Sequence, residues 1–267
     1  MVSDPIYILL INQPFKIMKT IKTTCISILM LCFVLHFAQA QQMFRIHQDN
    51  VKPSKLMEYE AIAKEFKAAA SKHNVDVSWF TAMTYDNKYF YVSPIENFAS
   101  FDERPFAEMA KAMGDDFTDL FSRFDKCYDS HGTYVIVKDN ELSYMPEGVD
   151  NAPADETYRE WYYMYYKPED AKNIRDGMKA VRDMFKEKGS KMYYRVYRDG
   201  MGQMEHYYMV SAAFKNEIDA AQKNEENRKL LGPDRMKTFS KVLNYVSRME
   251  EQRGVMRPDM DYSPKTD

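Results

Sequence analysis

A chain of 267 residues that is 45% apolar and 29% charged has enough apolar side chains to bury a core, which excludes a disordered chain. Its length suits two domains of roughly 100 residues each. The formal net charge of −3 and the absence of any basic tract exclude nucleic acid as a partner.

The opening forty residues differ from the rest. Lys19 and Lys22 precede an apolar run from Cys25 to Phe37 that ends in Ala38-Gln39-Ala40, the pattern of a secretory signal with a small-x-small cleavage site. Met18 reads as the working start, residues 1–17 as an extension upstream of it, residues 18–40 as the signal peptide and Gln41 as the mature N-terminus. The apolar run of about 13 residues is short of the ~20 a spanning helix needs, so cleavage is expected rather than anchoring. The mature chain is then secreted or periplasmic and free of the membrane. It keeps 34 basic and 39 acidic residues and one cysteine, Cys127, so no internal disulfide holds the fold.

From Met43 to Asn50 apolar and polar residues alternate with strand period. Val51-Lys52-Pro53-Ser54 opens a helix with Pro53 in its first turn, where a missing N–H costs little. Leu56, Tyr59, Ala63, Phe66 and Ala70 give that helix one apolar face. A strand is predicted over 75–85, a turn at Asp86-Asn87 and a returning strand over 89–93. A second helical region runs from about Pro105 to Met113, bends at Gly114 and continues with Phe117, Leu120, Phe121, Phe124 and Tyr128 inward. It carries Cys127, and Thr133 to Val137 follows as a closing strand. Residues 147–158, with Gly148, Pro153 and aperiodic carboxylates, read as a linker.

Beyond the linker the order recurs: a strand from Trp161 to Tyr166, Lys167-Pro168, and a helix whose Ala171, Ile174, Met178, Val181 and Phe185 lie 115 residues past their counterparts. A strand from Met192 to Arg198, a turn at Asp199-Gly200 and a strand from Glu205 to Ala212 come next. Gly114-Asp115-Asp116-Phe117-Thr118-Asp119-Leu120-Phe121-Ser122-Arg123 is answered 118 residues on by Gly232-Pro233-Asp234-Arg235-Met236-Lys237-Thr238-Phe239-Ser240-Lys241. Self-similarity at a fixed period reads as duplication. The expected class is α+β, with two βαββαβ units at 43–146 and 159–264. Such an order makes an antiparallel sheet with both helices on one face. The other face is rich in rings, and the second copy is expected to cover it, giving a monomer with internal pseudo-symmetry.

In element order and duplication the chain resembles the dimeric α/β-barrel superfamily, where two ferredoxin-like units pack sheet to sheet. That group includes antibiotic-biosynthesis-monooxygenase-like and haem-degrading domains. The resemblance implies this fold over residues 43–264 and, as activities, cofactor-independent oxygenation or haem degradation. The haem degraders use an Asn, Trp and His set; Asn50, Trp79 and His47 occur here in a different order and spacing, which points away from haem.

No Gly-x-Ser-x-Gly, phosphate loop or dinucleotide fingerprint is present, and Gly200-Met201-Gly202 leads into a strand rather than a helix. His47, His73, His131 and His206 include no pair at the helical spacing of a zinc site, so neither metal nor cofactor is assigned. His73 and His131 read as helix-end residues, and Cys127 as an inert thiol without a base to activate it. His47 and His206 lie on strands and are the candidate bases, against a structural role. Runs such as Glu225-Glu226 and Met249-Glu250-Glu251 read as solvated helix faces. Ring density is the main functional signal. Tyr193, Arg195 and Tyr197 share a strand face, and with Trp79 they are the candidate ligand contacts, Arg195 anchoring an apolar or aromatic molecule that carries negative charge. A structural alternative pairs Arg195 with Glu205 across the hairpin. The favoured function is binding of such a ligand by a secreted module. An oxygenase-like or other small-molecule enzyme and a structural protein of the cell envelope are the alternatives.

Overall fold

The computed structural model describes residues 42–146 and 152–265. The expected signal peptide and part of the expected linker lie outside them. No helix among the described residues is long and apolar enough to cross a membrane.

Eight strands form one closed antiparallel barrel. They are β1 (Met43–Val51), β2 (Phe80–Thr84), β3 (Lys88–Ile95), β4 (Tyr128–Tyr144), β5 (Tyr158–Tyr166), β6 (Tyr194–Asp199), β7 (His206–Phe214) and β8 (Arg248–Met256). Around the ring the order is β1, β3, β2, β8, β5, β7, β6, β4 and back to β1. Two runs of four, β4-β1-β3-β2 and β8-β5-β7-β6, therefore share one internal order. They are joined edge to edge by hydrogen-bonded seams at β2·β8 and β4·β6. The first seam is short, from Ala82↔Met256 to Thr84↔Gly254, and a Cβ on Gly254 would stand 2.0 Å from the Met83 carbonyl oxygen.

Strand alternation sorts the side chains between two environments. Phe44 and Ile46 of β1 point into the barrel, which Phe90, Ile136, Trp161, Tyr207 and Met209 also fill. Arg45, His47 and Asp49 point out, toward helices α1 (Leu56–Lys72), α2 (Ala107–Met113) and α3 (Asp115–Asp125). The second run is covered by α4 (Ala171–Glu187), α5 (Glu217–Leu231) and α6 (Arg235–Leu243). Gly114 and Gly232, at φ 58° and 78°, turn the chain between α2 and α3 and between α5 and α6, where left-handed backbone suits glycine. Two ion pairs cross between the halves, each with its carboxylate in the first half and its arginine in the second. Glu60 of α1 accepts from Arg257 just beyond β8, and Asp139 of β4 accepts from Arg175 of α4.

Several expectations are corrected. The strand predicted over 75–85 begins only at Phe80, apart from one bridge of Trp79 to Tyr262, because Val75 and Val77 pack under α1 and α2 instead of pairing. Cys127 lies between α3 and β4, and Tyr128 and His131 belong to β4, so the second helical region is shorter than its apolar period suggested. Met249-Glu250-Glu251 is strand β8, not a helix face. Phe121 is 39% exposed rather than buried. Cross-strand register sets Arg195 opposite Ser211, while Glu205 bonds Arg248.

Candidate functional site

Between the outer face of β1, β3 and β4 and the helices of the first half lies a cleft of about 690 Å³. Phe66, Trp79, Phe106, Phe121 and Phe124 form its apolar wall, with Phe66 5.2 Å from Phe106 and 5.7 Å from Phe121 between ring centroids. Trp79 is held from behind. Its Nε1 donates to the Met260 carbonyl at 3.0 Å, and Tyr262 lies 4.7 Å away, ring to ring.

The sheet end of the cleft is polar, and the pairing register explains why. His47 and Asp49 are two apart on β1 and so share a face; β4 sets Thr133 opposite His47 and His131 opposite Asp49. His47 Nδ1 is 3.0 Å from Thr133 Oγ1, and His47 and His131 meet edge to face at 5.5 Å. His131 also stacks on Tyr128 at 5.0 Å.

Asp49 is only 4% exposed. A carboxylate removed from water is costly unless its lone pairs are used. Its Oδ2 accepts from Tyr59 at 2.6 Å, and Tyr59 in turn meets the Tyr91 hydroxyl at 2.9 Å. Burial, then the neighbouring Tyr91 and Asp49, holds the Tyr59 phenol well above its usual pKa, so it stays a donor. Oδ1 is different: His47 Nε2 stands 3.1 Å away but off a hydrogen-bonding line, leaving Oδ1 buried without a hydrogen-bond partner. Two imidazoles and a carboxylate thus offer donor atoms within 4.8 Å of one another at the polar end of a ring-lined cleft.

The sequence-predicted site residues divide among three places. His47 and Trp79 line this cleft. Arg195 and Tyr197 line a separate chamber of about 680 Å³ at one mouth of the barrel, with Arg159 and Trp161. There burial, with the charge of Arg195 adding to it, lowers the Arg159 pKa. Tyr193 precedes β6 and its hydroxyl is tied to Glu156, which lines that chamber. His206 is exposed on β7, 2.9 Å from Asp199, and lines neither space. Asn50 bonds Ser130 and lines the opposite barrel mouth, on the other sheet face from His47. The Asn, Trp and His set of the haem degraders is therefore not assembled, and no step through haem follows. Asp49 and His131 were missed by the sequence reading. The His-x-Asp spacing on a strand was the available signal for the first; nothing local marked the second.

No protein-family model and no curated protein sequence matches the chain. Solved structures do. An anthrone oxidase-like protein superposes with TM-score 0.54 at 9% identity, over 82% of this chain and 93% of that one. A candidate monooxygenase from Lactobacillus acidophilus NCFM gives 0.51 at 10% identity, over 81% and 94%. The chlorite dismutase of Candidatus Nitrospira defluvii in complex with imidazole gives 0.51 at 10% identity, over 83% and 93%. These are dimeric α/β-barrel folds, and the chain shares that fold. At such identity the likeness speaks for the fold alone.

Proposed function

We propose that this chain is a small-molecule enzyme of oxygenase-like type, acting on an apolar, ring-bearing substrate held in the first cleft. The carrying observation is that one cleft joins a wall of aromatic rings to a buried carboxylate and two imidazoles. Rings supply affinity for a flat apolar molecule, and the few polar groups at one end orient it. A plain carrier has no need of an almost fully buried Asp49, whose cost a reactive site justifies. The oxygenase-like and chlorite-processing neighbours support the same reading by analogy of fold. In this reading two ferredoxin-like units, residues 43–146 and 159–264, stand in tandem. The chain works as a monomer outside the cytoplasm after cleavage behind Ala40.

The protein has two tryptophans, so a Trp161→Phe variant leaves Trp79 as the only indole reporter. Titration with 8-anilinonaphthalene-1-sulfonate, an aromatic probe, should quench or shift Trp79 emission saturably. Mass spectrometry of the purified protein should find a ring-bearing small molecule. An unresponsive Trp79 together with an empty extract overturns the proposal.

A second reading rests on the barrel-mouth chamber, where Arg159 and Arg195 face one space with Tyr197. It would take an anionic aromatic ligand. Arg195→Met should then abolish binding with little change in melting temperature, and binding that survives the substitution removes this reading.

A further inference from the structure

We infer that His47, Asp49 and His131 form a binding site for one divalent first-row transition cation, open toward the ring-lined cleft. This deepens the cleft reading above and rests on it for what the ion would meet, not for the ion itself.

The argument begins with the orphaned oxygen. Buried polar atoms in native folds almost always have partners, and one without a partner calls for an explanation, of which a bound ion is one when other ligand atoms stand beside it. Asp49 Oδ1 is such an atom, and it faces His47 Nε2 at 3.1 Å in a geometry that does not make a hydrogen bond. Two ligands about 2.1 Å from one metal, in adjacent positions, are roughly 3.0–3.5 Å apart and aim at the ion rather than at each other. His131 completes the set with all three donor atoms within 4.8 Å, and as an exposed residue it can close the remaining gap by side-chain rotation.

The surroundings are those of metal ligands. An imidazole that binds a metal through one nitrogen is oriented by a hydrogen bond at the other, and ligating carboxylates are themselves hydrogen-bonded. Thr133 Oγ1 stands against His47 Nδ1, and Tyr59 donates to the far oxygen of Asp49. Two imidazoles and one carboxylate suit zinc, iron, cobalt, manganese or nickel better than calcium or magnesium, which prefer all-oxygen shells. Three protein ligands leave positions for water or for an oxygen of a molecule in the cleft.

The second half of the barrel provides an internal control. At the offsets of 115 and 118, Tyr162, Met164 and Met249 stand where His47, Asp49 and His131 stand. The register agrees, with Met164 opposite Met249 as Asp49 is opposite His131. The same sheet position is thus built without one imidazole or carboxylate, so the fold does not require them.

The test strips the purified protein with a chelator and titrates it with Co(II), read by visible absorption and equilibrium dialysis. One Co(II) per chain is expected. Asp49→Asn and His131→Ala should each weaken it by roughly a hundredfold or more, and Thr133→Val by roughly tenfold, as losses of ligand and of orienting partner do. His206→Ala should leave it unchanged. His131 is exposed, so its variant should keep the far-UV spectrum of the parent should Asp49→Asn fail to fold. Uptake absent, unaltered in the His131 variant, or lost in the His206 variant overturns the site. Binding of 8-anilinonaphthalene-1-sulfonate to the metal-free protein separates the two readings. A protein that binds the probe but takes up no cobalt sinks the metal site alone, and one that takes up cobalt but refuses the probe when metal-free upholds the metal site and sinks the cleft ligand.

Discussion

The two clefts of the barrel are built on the same plan and furnished differently. In the first, about 690 Å³ is lined by rings and ends in Arg45, His47, Asp49 and His131. In the second, about 390 Å³ is lined largely by Met164, Met178, Phe185, Val210, Val242 and Met249. One residue explains much of the difference in size. Gly177 of α4 occupies the position of Ile62 in α1, and a Cβ there would lie 2.3 Å from the Lys241 carbonyl oxygen of α6. Without a side chain at that point the second pair of helices closes backbone to backbone. In the first half Ile62, 3% exposed, keeps its helix apart from α3. Each cleft holds one buried carboxylate, but Glu160 in the second is bonded by Tyr162 and Asn224, whereas Asp49 in the first leaves one oxygen without a hydrogen bond beside two imidazoles.

The sharpest way to break this comparison is to write the first cleft's carboxylate into the second. Met164→Asp would bury a charge where Ile174, at the position of Tyr59, offers no hydrogen bond, and we expect a loss of about 3–5 kcal/mol in chemical denaturation. A loss under 1 kcal/mol would mean the second cleft is wetter than its lining suggests. Next, Gly177→Ala should cost about 1–3 kcal/mol through overpacking against α6. A neutral result would show that α4 can slide, and that Gly177 does not set the volume.

A smaller effect separates the crossed ion pairs by pH. Bonds from Arg257, with Lys64 adding to them, hold the Asp259 pKa down at about 2, and Arg257 with Tyr89 lowers that of Glu60. A depressed carboxyl pKa contributes stability that is fully present above its unfolded value near 4 and is lost as pH falls toward 2. Stability of the parent should therefore decline over pH ~4 to ~2. Arg257→Met should be less stable at neutral pH and show a shallower acid slope, though Asp259 is 46% exposed and solvent screens its share. Equal slopes in parent and variant would show that the pair adds nothing. The smallest shift in stability is expected for the reverse graft, Asp49→Met with His131→Met. Its melting temperature should match or exceed the parent's, since the second half already uses methionine at both places. A fall of several degrees would make the polar cluster structural and weaken both functional readings.

The sequence carried the plan of the barrel better than its furniture. Offsets of 115 and 118 gave element order, and β1 was placed within one residue of its true bounds, whereas β4 was expected only over Thr133–Val137 and runs Tyr128–Tyr144. The alternation of β1 was enough to set His47 and Asp49 on one face. What it could not show is which residues of a distant strand stand opposite them, because the register of β1 on β4 follows from closure of the whole ring. Reading Phe124 and Tyr128 as one helical stripe carried the helix past its end and removed His131 from the sheet. Arg195 and Tyr197 do share a face, but on the barrel's interior side, where strand period alone cannot tell one face from the other.

Trp79 carries a further implication. Its indole is fixed by Met260 and Tyr262, and Tyr262 also donates to the Val75 carbonyl at 2.9 Å, so the back wall of the first cleft is made by residues some 180 positions downstream. Synthesis runs from the amino end, and early segments fold while later ones are still being made. The first half can gather its helices before the last segment arrives, with Phe66 and Phe106 against Trp79, but the indole N–H has its partner only once Met260 is in place. The back wall of the cleft is therefore complete only when the end of the chain has docked, although its lining residues all lie in the first half.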